Sequence, residues 1–247
     1  MVLDGAGSPA GLDSGCFHSV AWYARTLGGL LAGAIADRRL SLTEALAVSI
    51  DAVNAAHRGT CDLANPHSPS ATVLVARAAG DRLEYLVLSD STLIVELADD
   101  DPLIVTDARL AGVYGKLDAP ARLPPLGSGD LAADLFEHVR KLAAYRNQPG
   151  GFWVASINPA AATQALTGSV PLDQVEAVAL LSDGATRTAD RFGLSTWADV
   201  LAVLRKDGPQ ELIRRTREAE AGDPRGERWS RSKATDDATA AYWTLRN

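Results

Sequence analysis

The chain has 247 residues, 47% hydrophobic and 22% charged, which suits an ordinary globular protein large enough to bury a full core. A formal net charge of −7, a pI near 5.1 and no basic cluster exclude a surface built to neutralise nucleic-acid phosphates. Two cysteines, Cys16 and Cys61, with no CxxC pair, argue against a disulfide framework or a zinc knuckle, and a reducing cytosol suits them best.

The opening Met1-Val2-Leu3 is apolar and β-like. It runs into Asp4-Gly5-Ala6-Gly7-Ser8-Pro9, which reads as the end of a buried strand followed by a tight turn. No basic segment followed by an apolar core opens the chain, and no apolar run reaches the length of a membrane span, so neither a signal peptide nor a membrane partner is expected. Residues 15–36 read as a helix, weakened at Gly28-Gly29. A second helix starts at the capping box Ser41-Leu42-Thr43-Glu44, with Leu46, Ile50 and Val53 on its apolar face. Three short strands follow at 71–76, 83–88 and 92–97. Gly80-Asp81 makes the first turn between them and Ser89-Asp90-Ser91 the second.

Residues 99–129 carry Asp99-Asp100-Asp101, four prolines and four glycines, and read as a flap of little regular structure. A helix is expected over 130–145, a strand over 152–156 and a stronger strand over 176–182 that ends at Asp183-Gly184. Two helices are expected at 196–205 and 209–221, the second opened by Pro209. Residues 222–235 read as a charged loop, and Asp236-Asp237 lead into a last strand at 238–245. With no internal repeat or Gly/Ser linker, residues 1–247 read as a single domain of two packed sheets flanked by helices.

Asp4, Asp183 and Asp236 share one setting, a carboxylate at a strand end, and the first two precede glycine. Such carboxylates project from a rigid frame into a cleft, and an all-oxygen set suits a hard ion such as Mg²⁺ or Mn²⁺. Each has a simpler reading as a turn or loop acid. Gly5-Ala6-Gly7 does not continue as a dinucleotide fingerprint, because the next glycine is Gly11. Ala6 stands where an aspartyl-nucleophile phosphatase would need a second Asp, and no Cys-x5-Arg loop is present.

Four segments together resemble one family, the PPM-type (type-2C-like) metal-dependent Ser/Thr protein phosphatases, nearest their bacterial branch. VLDGAG resembles the family's strand-end DG motif and LVLSDST its hairpin GDSR motif. LLSDGATR is similar to its SDG motif and TDDATAAYW to its C-terminal DN or DD strand. All four occur in the family's order across residues 2–245. The resemblance implies an α+β fold, a four-layer α-β-β-α sandwich whose two mainly antiparallel sheets are flanked by helices.

It further implies that Asp4 bridges two Mn²⁺ or Mg²⁺ ions, with Gly5 offering its carbonyl through water. Asp183 and Asp236 would hold the metal on the other side, and Asp90 would help bind a third ion. Asp237 would lie behind the ligands. The implied reaction is hydrolysis of phosphoserine or phosphothreonine in a phosphorylated protein partner by a metal-activated water, with Asp4, Asp183 and Asp236 as catalytic residues.

The sequence departs from the family in places. The family has an acidic strand ahead of this aspartate and usually an upstream basic residue that holds phosphate, whereas the sequence as given starts three residues before Asp4. GDSR has become Ser89-Asp90-Ser91-Thr92. A catalytically impaired regulatory or binding module on the same fold is therefore the alternative. His18, the histidine nearest Asp4 in sequence, reads as a helix-packing residue, and Arg187 as a partner in a surface ion pair. Trp22, Trp153, Trp197 and Trp243 read as packing residues and Trp229 as a contact surface. Oligomeric state is not readable.

Overall fold

A computed structural model describes residues 1–7, 11–117 and 123–245. Ser8 and Pro9 of the expected first turn, and residues 118–122 of the flap, lie outside these described residues. One sheet joins β1 (Val2–Ala6), β2 (Ser70–Ala79), β3 (Arg82–Leu88) and β6 (Leu166–Pro171), in that order and antiparallel throughout. The other joins β5 (Leu103–Val105), β4 (Thr92–Leu97), β7 (Val175–Leu181) and β8 (Ala240–Thr244), also antiparallel.

Strand alternation sends successive side chains to opposite faces, and both faces of each sheet are apolar. Val73, Val75, Leu86 and Leu88 pack outward against α1 (Val20–Ala36) and α2 (Leu42–His57). Leu74, Val87, Leu93, Val95, Val178 and Leu180 fill the space between the sheets. Ile94, Ala179 and Leu181 pack on α5 (Asp183–Asp190), α6 (Trp197–Asp207) and α7 (Pro209–Ala221). The result is the expected α-β-β-α sandwich. α3 (Arg109–Tyr114) and α4 (Gly129–Ala143) lie apart from these layers, with a small cluster formed by Val113, Phe152 and Val154.

Local sequence explains most element ends. Ser41 and Glu44 complete the expected capping box of α2. Gly80 takes φ +61° in the β2–β3 hairpin. α1 starts at Val20 rather than residue 15, because Ser19 caps it by accepting a hydrogen bond from the Trp22 N–H at 3.1 Å.

Other expectations need correction. β1 does not end at Asp4 but continues to Ala6, since the ladder with β2 persists to Ala6–Ser70. The flap holds β5 and α3, and β5 persists because three of its residues pair with β4. Residues 152–156 form isolated bridges, Arg146–Phe152 and Ala71–Ala155, rather than a strand. β6 was not expected: Gly168 and Pro171 hide it, and they are tolerated because it is an edge strand. Trp243 is 47% exposed and is no core residue. Trp229 is partly packed, stacking on Phe192 and donating from Nε1 to the Phe192 carbonyl at 3.0 Å.

Candidate active site

Ladder register brings four separated segments to one end of the sandwich. Thr92 at the start of β4 pairs with Leu181 at the end of β7, and Leu181 pairs with Ala240 at the start of β8. The turn 89–91, the β7–α5 junction and the entry to β8 therefore lie side by side. In the other sheet Asp4 pairs with Thr72, whose Oγ1 accepts from the Asp4 N–H at 3.3 Å. Thr72 Oγ1 also shares a 2.8 Å hydrogen bond with Ser91 Oγ, joining β1's neighbour to the β3–β4 turn across the two sheets. Ser89 stands where the family's hairpin has glycine and holds φ +71°, the left-handed region that glycine adopts without strain.

The β7–α5 junction is clamped to the β8 entry. Ser182 donates its N–H to the Thr239 carbonyl at 2.9 Å, and its Oγ accepts from the Thr239 N–H at 3.0 Å. Gly184 is required here, because a Cβ on it would overlap the carbonyl oxygen of Asp237. The glycine after Asp183 thus lets the segment bearing Asp236 approach.

Asp4, Asp90, Asp183 and Asp236 all line one cleft of about 290 Å³, together with Gly5. Burial first, then a hydrogen bond donated to Asp183, then the charges of Asp183, Asp236 and Asp90 push the Asp4 carboxyl up to about 8. Burial and the Asp183 charge push Asp90 up to about 6. Carboxylates gathered in a partly buried cleft form an all-oxygen donor set, and that set fits a hard divalent cation. Asp237 is exposed, and its backbone rather than its side chain meets the site, at Gly184.

Asp236 is already partnered on both oxygens. Oδ2 accepts from buried Arg187, and Oδ1 accepts from Lys233 Nζ at 2.6 Å. Arg187 also donates to Glu220 Oε1 at 2.7 Å, and the side chains of both are at most 2% exposed. The expected surface pair at Arg187 is therefore a buried network joining α5, α7 and the β8 entry. Its function is to fix Asp236. Lys233 is the exposed partner, with a side chain 59% exposed. Burial tends to lower the Lys233 ammonium, but its bond to Asp236 and the charges of Asp236, Asp4 and Asp183 outweigh that and raise it.

Sequence reasoning missed the cationic side of the cleft. Arg191 approaches Asp183 Oδ2 at 3.8 Å and, with Lys233, lines the opening. Arg146 also lines it, but its guanidinium is tied to the carbonyls of Pro66 and Pro69 and to Ser156 Oγ. The sequence signal for Arg191 and Lys233 was their closeness to Asp183 and Asp236, about eight residues beyond the one and three before the other. The histidine that lines the cleft is His67, lowered by burial and by Arg146. His18 lies elsewhere, stacked on Trp22 at 3.9 Å. The flap contributes Leu110 and Tyr114 to the wall, and α4 contributes Val139 and Leu142.

A family model described as Protein phosphatase 2C matches residues 1–216. Among curated proteins none matches the sequence. Solved structures share the fold. The serine/threonine phosphatase PstP/Ppp of Mycobacterium tuberculosis superposes with a TM-score of 0.58 at 15% identity, over 99% of this chain and 87% of that one. The catalytic domain of PstP in complex with 2 manganese ions gives 0.53 at 14% identity, over 99% and 86%. A C. elegans sex determining protein gives 0.55 at 12% identity, and the match over 99% of this chain spans 55% of that one.

Proposed function

The chain belongs to the protein phosphatase 2C family and so to the metal-dependent protein-serine/threonine phosphatases, and we propose that Asp4, Gly5, Asp183 and Asp236 hold its metal. The observation that carries this reading is the convergence of four carboxylates, from four segments, on one cleft where their neighbours raise Asp4 and Asp90. Two Mn²⁺ or Mg²⁺ ions fit the set, with Asp90 adding a ligand for a third. Bound metal supplies Lewis-acid activation of water and neutralises charge on the phosphoryl group.

The chain's own groups do the rest. Asp4, extended on β1 and tied to Thr72, presents its carboxylate from a rigid strand. Arg187 holds Asp236 Oδ2, so Oδ1, now held by the exposed Lys233, would be the oxygen available to a metal. Lys233 and Arg191, which line the cleft, would supply cations for the substrate phosphate. Leu110 and Tyr114 of the flap give the phosphoprotein an apolar surface beside that phosphate.

The test is hydrolysis of phosphoserine and phosphothreonine peptides with and without Mn²⁺ or Mg²⁺. Turnover should require the metal and fall by about 10²-fold or more in Asp183→Asn, with the folded circular-dichroism spectrum unchanged. Metal-independent turnover, or none with metal, would overturn the reading. The second outcome would favour the impaired regulatory module, for which the cations already seated on Asp236 are the supporting observation.

A further inference from the structure

Away from the cleft, the fold assembles a second cluster of metal-ligating side chains. Cys16 and His18 lie in the segment between β1 and α1, His57 is the last residue of α2, and Cys61 sits in the turn after it. Their donor atoms all lie within 4.8 Å of one another. Cys61 Sγ is 3.2 Å from Cys16 Sγ and 3.3 Å from His18 Nδ1, and Cys16 Sγ is 3.7 Å from Nδ1 of both His18 and His57. We infer that Cys16, His18, His57 and Cys61 form a tetrahedral structural Zn²⁺ site.

The geometry supports this on edge lengths. Bonds of about 2.3 Å to sulfur and about 2.0–2.1 Å to nitrogen give tetrahedral edges of about 3.8 Å for S···S and about 3.6 Å for S···N. The three S···N distances of 3.3–3.7 Å already match. The sulfurs, 3.2 Å apart, need to open by about 0.6 Å. Two thiolates and two neutral imidazoles also cancel the ion's charge, so the site leaves no net charge in a half-buried place. An S₂N₂ donor set selects zinc over the hard ions that suit the carboxylate cleft.

His57 provides a separate indication. It is 2% exposed, and its Nδ1 faces Cys16 Sγ at 3.7 Å. A ring buried in that orientation is already aimed at the cluster before an ion binds. The surroundings are built for the cluster. Trp22 stacks on His18 at 3.9 Å and lies 5.3 Å from the His57 ring. Gly15 O accepts from the Asp62 N–H at 2.8 Å, and Cys61 N–H donates to the His57 carbonyl at 3.1 Å. Absence of a CxxC pair argued against zinc in the sequence. The fold replaces that spacing with a Cys-x-His pair and a His-x3-Cys pair from separate segments. The ion would fasten the segment that follows the Asp4 strand to the end of α2.

The test uses the full chain purified in reductant with zinc in the medium. One equivalent of zinc should survive a weak chelator, and should be retained in Asp183→Ala but lost in the double variant Cys16→Ser/Cys61→Ser. Wild-type protein refilled with Co²⁺ should show thiolate-to-cobalt charge transfer and the intense visible bands of tetrahedral cobalt, a readout that does not depend on whether the double variant folds. A strong chelator should lower the wild-type Tm in the absence of manganese. Recovery of zinc-free protein with a Cys16–Cys61 disulfide, or cobalt spectra without charge transfer, would overturn the assignment. Neither result bears on the carboxylate cleft, which contains no sulfur ligand.

Discussion

Asp4 bears the largest electrostatic strain in the cleft. Its carboxyl stands at about 8 in the folded protein against about 3.8 in the unfolded chain, chiefly because of burial and its contact with Asp183. The folded state therefore keeps a proton that the unfolded chain has released. Stability from this group is present at low pH, declines from about pH 4 upward and is lost by about pH 8. Thermal melts in chelator should show Tm falling over that window, and Asp4→Asn should flatten the fall. Mn²⁺ should raise the wild-type Tm more at pH 7.5 than at pH 5.5, because the ion competes with the proton. Arg187 works in the opposite way, as a buried cation shared by Glu220 and Asp236. Arg187→Leu leaves Glu220 to Arg217 alone and should cost about 3–5 kcal/mol in urea unfolding. Of these residues the sequence disclosed the aspartates, because each sits in a motif of fixed neighbours. It did not disclose that Arg187 is buried, since its partner Glu220 lies on another helix and no local pattern links the two.

At the scale of elements, the junctions matter more than the elements. The β7–α5 turn and the β8 entry touch backbone to backbone at Gly184. Gly184→Ala should push Asp237 and its neighbour Asp236 outward. The expected result is a loss of stability of about 2 kcal/mol or more, accompanied by weaker Mn²⁺ binding in calorimetry. A purely helical role for Gly184 would predict the reverse on stability, since alanine favours helix. The long elements were readable from period alone: α2 from its capping box and α7 from Pro209. β5 and β6 were not readable, and the strand expected at 152–156 is reduced to isolated bridges. They exist because a neighbouring strand offers a partner, and that partner is distant in sequence.

At the scale of the molecule, we propose that residues 1–247 form one cooperative unit, because one apolar layer joins the two sheets. Trp22 packs on the first sheet's helices and Trp197 on the second's, so fluorescence reports both sides of the sandwich. Fluorescence and far-ultraviolet circular dichroism should give coincident urea transitions, and two separate midpoints would show independent halves. The layered fold was legible in the order of elements. The zinc-type cluster was not, because it depends on the loop after β1 folding back onto the end of α2. The packing of the two sheets, which brings Asp4 and Asp236 to one cleft, has a final consequence during synthesis. Asp4 leaves the ribosome well before Asp236 and β8, which lie on the far side of every other element in the chain. A nascent chain can form the β1–β2–β3 pairings and bury α1 and α2, yet its carboxylate cleft remains incomplete until the last strand is released.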